Sequence, residues 1–243
     1  MKGPHLFLRA IMSTFDKDTV KKILEPIITK AYESQATESD LRKNTLDVFS
    51  ASIDSAVKGI TLDEWKEQER QRQVQKTLQN QVGELHQEIL GSLDGVTNLG
   101  TGKVIDLEGN GFIAEIKNKH NTTKGNHKIA IYDDLESQLT SKAEDTVAYY
   151  VEILPRNGKS YNDEFTPSDN RISERRPVNP NIRQIDGQSF YEIVTGNKNA
   201  LRELYELLPE VTTEIMNEKY GKKQKASDYI DEAEFDHIYK QKS

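Results

Sequence analysis

Residues 103–117 read KVIDLEGNGFIAEIK, two runs of alternating apolar residues on either side of Asn110-Gly111. An Asn-Gly pair between such runs predicts a two-residue hairpin turn of type I′, because both central residues then need positive φ. Taking those two as the loop sets the register. Gly109 faces Phe112, Glu108 faces Ile113, Leu107 faces Ala114, and Asp106 faces Glu115. Directly opposite side chains share a face, with Cβ atoms about 4.5–5.5 Å apart. Lys117 lies two residues beyond Glu115 and so falls on the same face. Ile105, Leu107, Ala114 and Ile116 are expected to point the other way, into a core. A fold for this chain must therefore hold a hairpin that gathers two carboxylates and one ammonium on one side.

Two carboxylates that close repel each other, and keeping both ionised needs a cation. Carboxylate oxygens suit Mg²⁺, which keeps several waters and takes phosphate oxygens as further ligands. Such an ion activates water and neutralises charge at phosphorus. Lys117 is placed to orient the attacking water or to stabilise a phosphoryl oxygen. The competing reading of the same spacing is an exposed, charged hairpin. Against it stands the setting, since Asp106 and Glu115 interrupt otherwise apolar strands. The next segment, KNKHNTTKGNHK at 117–128, carries Lys117, Lys119, Lys124, Lys128, His120 and His127 and no acid. In a chain of net charge -7 this is a local positive patch, suited to phosphates or simply to water. Lys119, His120 and Asn121 are its candidate DNA contacts.

The rest of the chain alternates helical and extended patterns. Helical spacing predicts helices over 16–34, 40–58 and 61–90, with Pro26 expected to kink or shorten the first. In the second, Leu41, Leu46, Phe49, Ile53 and Val57 are the apolar positions, and Gly59 closes it. In the third, Thr61 and Glu64 form a capping-box pattern, and Trp65 is read as a packing residue. Strands are expected at Lys103–Leu107, Phe112–Lys117 and 146–154, with a helix over 127–142 between the last two. Residues 155–181 show no period and read as a long loop, followed by a short strand at Ile182–Ile185. Residues 189–218 read as helical, interrupted near Gly196 and Pro209. This order predicts an α/β fold, a mixed sheet flanked by helices, with added N-terminal helices.

Composition bounds the function. With no cysteine there is no disulfide, no Cys-based zinc site and no thiol nucleophile. No apolar stretch reaches membrane-spanning length, and Arg9 breaks the apolar start, so a soluble cytoplasmic protein without a signal peptide or membrane partner is expected. The negative total argues against a coating protein for nucleic acid but not against one cationic cleft. A long irregular segment inside a compact domain is usually functional. Arg commonly reads guanine through O6 and N7, so Arg171, Arg175 and Arg176 in the 155–183 loop are candidate base or phosphate contacts. Pairing of these arginines to Asp169 and Glu174 is the alternative.

The arrangement Asp106…Glu115-x-Lys117 resembles the PD-(D/E)XK nuclease signature, with Ile105 where the motif's name places Pro. More narrowly, AEIKNKHNT at 114–122 and TLDEWKEQERQRQVQKTLQNQVGELHQEILGSLDG at 61–95 resemble type II restriction endonucleases that cut GGNCC. The resemblance covers roughly residues 60–200. It implies a restriction-endonuclease-like core, a Mg²⁺ cofactor, a homodimer on a palindromic site in double-stranded DNA, and 5′-phosphate and 3′-hydroxyl products. It implies Asp106, Glu115 and the Ile116 carbonyl as metal ligands and Lys117 as the catalytic lysine. A host carrying such an enzyme needs a cognate DNA methyltransferase. The superfamily often adds an acid from the preceding helix; Glu84 and Glu88 are the positions available, neither assigned. The division expected is a helical region at 1–60, a nuclease core at 61–218 and a charged tail at 219–243. A structure-selective repair or junction-resolving nuclease, and a non-catalytic DNA-binding protein, remain alternatives.

Overall fold

A computed structural model of the chain describes residues 13–33, 46–100, 102–121, 123–169 and 173–239. Three helices come first: α1 (Lys17–Glu33), α2 (Val48–Lys58) and α3 (Leu62–Gly91). Strands β1 (Val96–Asn98), β2 (Leu107–Gly109) and β3 (Phe112–Lys119) follow, then α4 (Gly125–Leu139) and β4 (Val147–Leu154). Short strands β5 (Asn162–Glu164), β6 (Ser168–Asp169) and β7 (Glu174–Arg175) lead to β8 (Ile182–Asp186). Helices α5 (Gly187–Thr195), α6 (Ala200–Tyr220) and α7 (Glu232–Ile238) complete the described chain.

Six strands form one mixed sheet in the order β1-β2-β3-β4-β8-β5. β3, β4 and β8 run parallel, and the outer pairs are antiparallel. The β3–α4–β4 unit is a crossover connection, which parallel strands require. One face of the sheet is thickly covered: Leu107, Ala114, Ile116, Val151 and Ile185 pack against residues of α1, α3, α5, α6 and α7. The other carries a smaller cluster in which Ile113, Ala148, Tyr150 and Ile182 meet Tyr132 and Leu135 of α4. That cover thins toward the carboxyl end of β3. In β3, Phe112, Ile113 and Ala114 are all buried, after which burial alternates through Glu115, Ile116 and Lys117. Open α/β sheets place their ligands at such carboxyl ends.

Several elements differ from expectation. Pro26 and Pro209 lie inside the continuous helices α1 and α6. A proline forfeits one backbone bond. Here buried Val20, Leu24 and Ile28 of α1 and Leu204, Val211 and Ile215 of α6 keep the two helices together. The capping box at Thr61 and Glu64 is present, and Gly59 closes α2 at φ 66°. The apolar stripe of α2, however, faces out: Phe49, Ile53 and Val57 are 79%, 67% and 80% exposed, while Ala51 and Ser55 are buried. Trp65 packs beside them and its indole N–H donates to Asp54 at 2.7 Å. Leu41 lies outside the described residues. The stretch expected as a loop carries β5, which joins the sheet edge, and the β6–β7 hairpin. The charged C-terminal segment is anchored by α7, where Phe235 and Tyr239 are buried.

Candidate active site

The β2–β3 register is Leu107 opposite Ala114, Glu108 opposite Ile113 and Gly109 opposite Phe112, as the Asn110-Gly111 turn required. The turn itself differs. Gly111 has φ 77°, but Asn110 is not among the described residues with positive φ. A left-handed second residue alone is the type II pattern, not type I′. Strand β2 is also shorter than expected and begins at Leu107. Asp106 still continues the ladder: its N–H donates to the Ala114 carbonyl at 3.0 Å, and its own carbonyl accepts from Leu99 N–H at 2.9 Å. Ile105, by contrast, belongs to the cluster under α4 and not to the larger core, because the backbone bends before the strand begins.

The Asp106 and Glu115 carboxyls meet where β2 begins beside β3. The Asp106 carboxylate accepts the Ile116 N–H at 2.7 Å, and the Glu115 carboxyl and the Gln87 amide of α3 both reach it. Lys117 Nζ lies 2.6 Å from Glu115 Oε1. Burial raises the Asp106 pKa, opposed by the Ile116 N–H and the Lys117 charge. Burial and then the Asp106 charge push Glu115 up to about 7, opposed by Lys117. One ammonium is thus insufficient for two half-buried carboxylates. That deficit, and a donor set made of oxygen, fit a hard divalent cation. No cluster of three or more His, Asp or Glu side chains surrounds the pair among the described residues. The protein would supply two carboxylates and backbone carbonyl, leaving places for water and phosphate, which is how Mg²⁺ binds.

The parallel register places Tyr150 beside Glu115 and Glu152 beside Lys117. Glu152 is buried and fully engaged: it receives Lys128 Nζ at 2.9 Å, the Tyr161 hydroxyl at 2.6 Å and the Gln184 amide at 2.7 Å. Burial works to raise its pKa, yet Tyr161, Lys128 and Gln184 together hold it below the usual range, so it stays charged. Burial and the Glu152 charge raise Tyr161, which stays a donor.

A sequence profile of the Eco47II restriction endonuclease family matches residues 12–217. The chain belongs to this family. It is 41% identical over 213 residues to the type II restriction enzyme Eco47II of Escherichia coli, covering 85% of this chain and 88% of that one. It is 34% identical over 188 residues to the type II restriction enzyme Sau96I of Staphylococcus aureus, covering 74% and 71%. The Eco47II-family match takes in the whole sheet and both carboxylates and stops before α7.

Within this Eco47II-family chain the structure brings Asp106, Glu115, Ile116 and Lys117 together, with Lys119, His120 and Asn121 continuing from β3. His120 is tied to β4 through its N–H, which donates to the Leu154 carbonyl at 3.2 Å. Arg175 and Arg176 sit apart from them, at the β6–β7 hairpin. Arg175 donates to the Thr166 carbonyl at 3.1 Å; Arg176 pairs with Asp133 at 2.7 Å and approaches Asp169 at 3.6 Å. Arg171 lies outside the described residues. Glu84 and Glu88 are exposed, and the residue of α3 that reaches Asp106 is Gln87. Gln87, Glu152, Tyr161 and Gln184 escaped the sequence reading, which held Lys128 only as one cation of the basic patch. The available signal was a lone Glu152 inside the apolar run VAYYVEIL, a polar intrusion of the same kind as Glu115.

Proposed function

We propose that this chain is a Mg²⁺-dependent type II restriction endonuclease of the PD-(D/E)XK kind. It hydrolyses double-stranded DNA as a homodimer at a short palindrome of the GGNCC type. The observation that carries the reading is the contact of the Asp106 and Glu115 carboxyls beside Lys117, in a chain whose relatives are type II restriction enzymes. Asp106, Glu115 and the Ile116 carbonyl would hold the metal. When bound, the ion supplies Lewis-acid activation of water and neutralises phosphoryl charge. The Ile116 N–H and Gln87 hold the Asp106 carboxylate in place, and Glu115 keeps the Lys117 ammonium at the reacting edge of the sheet. Lys117 then orients a water or a non-bridging phosphate oxygen, a preorganised charge that needs no rearrangement during reaction. Lys119, His120, Asn121, Arg171, Arg175 and Arg176 are the proposed DNA contacts. Two copies related by a two-fold axis match a palindromic target, and a methyltransferase for the same site protects the host.

Plasmid digestion with Mg²⁺ and with EDTA, followed by sequencing of the ends, tests this reading. Discrete fragments with 5′-phosphate ends at one palindrome are expected, and only with the metal. Cutting confined to branched DNA, or no cutting in Mg²⁺ or Mn²⁺, would defeat it. Light scattering behind size-exclusion checks the dimer.

A further inference from the structure

Next to the carboxylate pair the sheet floor opens into a cleft of about 920 Å³. Its floor is Glu152 with Gln184 and Tyr161, and Glu152 sits one strand over from Lys117. Neighbouring strands lie about 4.8 Å apart, so the cleft lies one strand over from Lys117, although Asp106, Glu115 and Lys117 do not themselves line it. On one side His120, Asn121 and Lys128 line it; on the other, Arg156 and Lys159, with the exposed Asp163 carboxylate also in the lining.

Three features mark the cleft as a built site. The first is the buried carboxylate. Ionised groups are kept out of water only at a cost unless each is paired and bonded; Glu152 has three donors, and one of them, the Lys128 ammonium, is also held 5.0 Å above the Tyr150 ring. The second is the turn that carries the outer wall. Asn157 is left-handed at φ 59° and Gly158 at φ 63°, and a Cβ on Gly158 would stand 2.8 Å from the His237 carbonyl oxygen of α7. Backbone held in such regions persists where its surroundings enforce it, and it gathers at ligand clamps. The third is free charge. Arg156 and Lys159 are exposed, and neither has a side-chain hydrogen bond or ion pair among the described residues. Arg176, in contrast, is paired within the protein. The Lys128–Glu152 pair is electrically closed, so the cleft's available charge is that of Arg156 and Lys159 against the single Asp163 carboxylate, which leaves the lining net positive.

We infer that this cleft is a backbone clamp: it receives a DNA phosphodiester neighbouring the one that is cleaved, with Arg156 and Lys159 neutralising it. The clamp rests on the nuclease reading above. It positions the strand over Asp106, Glu115 and Lys117 and reads no sequence. Guanidinium and ammonium groups both serve phosphate, and contacts of this type set register without discriminating bases.

The test is equilibrium binding of the full chain, with Ca²⁺ in place of Mg²⁺, to a duplex holding the cleavage site and to one lacking it, across a salt series. Each phosphate contact contributes about 0.9 to the slope of log affinity against log salt. Arg156→Ala and Lys159→Ala are each expected to lower that slope by about 1 and to weaken both duplexes alike, roughly 10-fold. The double variant should lose about 2 in slope. Lys17→Ala, on the far α1–α6 surface, should change nothing. The fragments in a plasmid digest should keep their ends. If the unsubstituted chain cuts at one site but these variants bind with unchanged slope and affinity, the clamp is wrong and the nuclease reading stands. If either variant relaxes the sequence that is cut, the residue reads a base and the phosphate assignment is overturned. If the unsubstituted chain neither cuts nor binds, both fall together.

Discussion

Asp106 and Glu115 meet where water is partly excluded, so ionising the second carboxyl works against the charge of the first. The linkage has a definite sign. Glu115 holds its proton up to about pH 7 when folded but only to its ordinary 4.5 when unfolded. Between those values the folded state binds more protons, so stability is full below 4.5, declines as pH rises, and the loss is complete above about 7. Glu115→Gln removes this titration. Thermal melts should show the variant more stable than the parent at pH 8 by about 1–3 kcal/mol, and no different at pH 4.5. Mg²⁺ should raise the parent's melting temperature at pH 8 and leave the variant's nearly unmoved, since an ion bound only by the folded state stabilises it. A variant less stable at pH 8 would mean that the carboxyls are not in conflict. Separately, Asp106→Ala and Lys117→Ala should each lower the cleavage rate by at least about 100-fold with circular dichroism unchanged. Retained cutting by either removes that residue from the centre. This part of the site was legible because all its members lie within one hairpin, where period and turn decide who faces whom. Gln87 and Glu152 were not, since they arrive from α3 and β4, and a linear pattern holds no record of which strand will lie beside β3.

The hairpin shows how local chemistry and tertiary packing divide the work. Asn110-Gly111 set the pairing of β2 with β3, yet the turn type differed, because packing needed only Gly111 in the left-handed region. A Cβ at Gly111 would meet nothing within 4 Å, so Gly111→Ala isolates the backbone cost from any clash. That cost is about 1–2 kcal/mol for an L-residue in this region. A chemical denaturation midpoint should fall accordingly, and an unchanged midpoint would mean that the turn relaxes freely. The same division explains the helices. α3 was readable from its capping box, and β4 from an apolar run interrupted only by Glu152. The buried face of α2 was misread because apolar residues need not be inside: Ala51 and Ser55 are buried, Asp54 takes the Trp65 indole N–H, and Phe49, Ile53 and Val57 are left on the surface. Pro26 was expected to kink or shorten α1 and Pro209 to interrupt α6, but both helices run through their prolines, because they bury apolar rows against each other and that packing outweighs one missing hydrogen bond in each.

Across the molecule the two faces of the sheet have different tasks. Five helices cover one face, and α4 covers only part of the other, where the half-buried carboxylates, the Lys117 and Lys119 side chains and the exposed Arg156 and Lys159 lie. A chain of net charge -7 thus concentrates positive groups where an anionic strand would lie, and local field counts for more than the total. α7 links the two sides. It falls beyond the family match at residue 217, yet the Tyr239 hydroxyl donates to the Ile153 carbonyl of β4 at 2.9 Å, and Gly158 of the clamp turn packs on its carbonyls. Phe235 and Tyr239 are only 6% and 8% exposed. Deleting residues 231–243 therefore removes two core aromatics, and losing one such ring costs about 3–5 kcal/mol. For a chain of this size each kcal/mol lowers the melting temperature by about 2–4 °C, so a drop of at least roughly 6 °C is expected by calorimetry. The shortened chain should also bind DNA with a shallower salt slope, because the 156–160 turn loses the surface that holds it. A normal melt would show that α7 rests on the domain without supporting it. A lowered melt with the parent's salt slope would show that the turn keeps its shape unaided, and would separate the stability of the sheet from the geometry of the cleft.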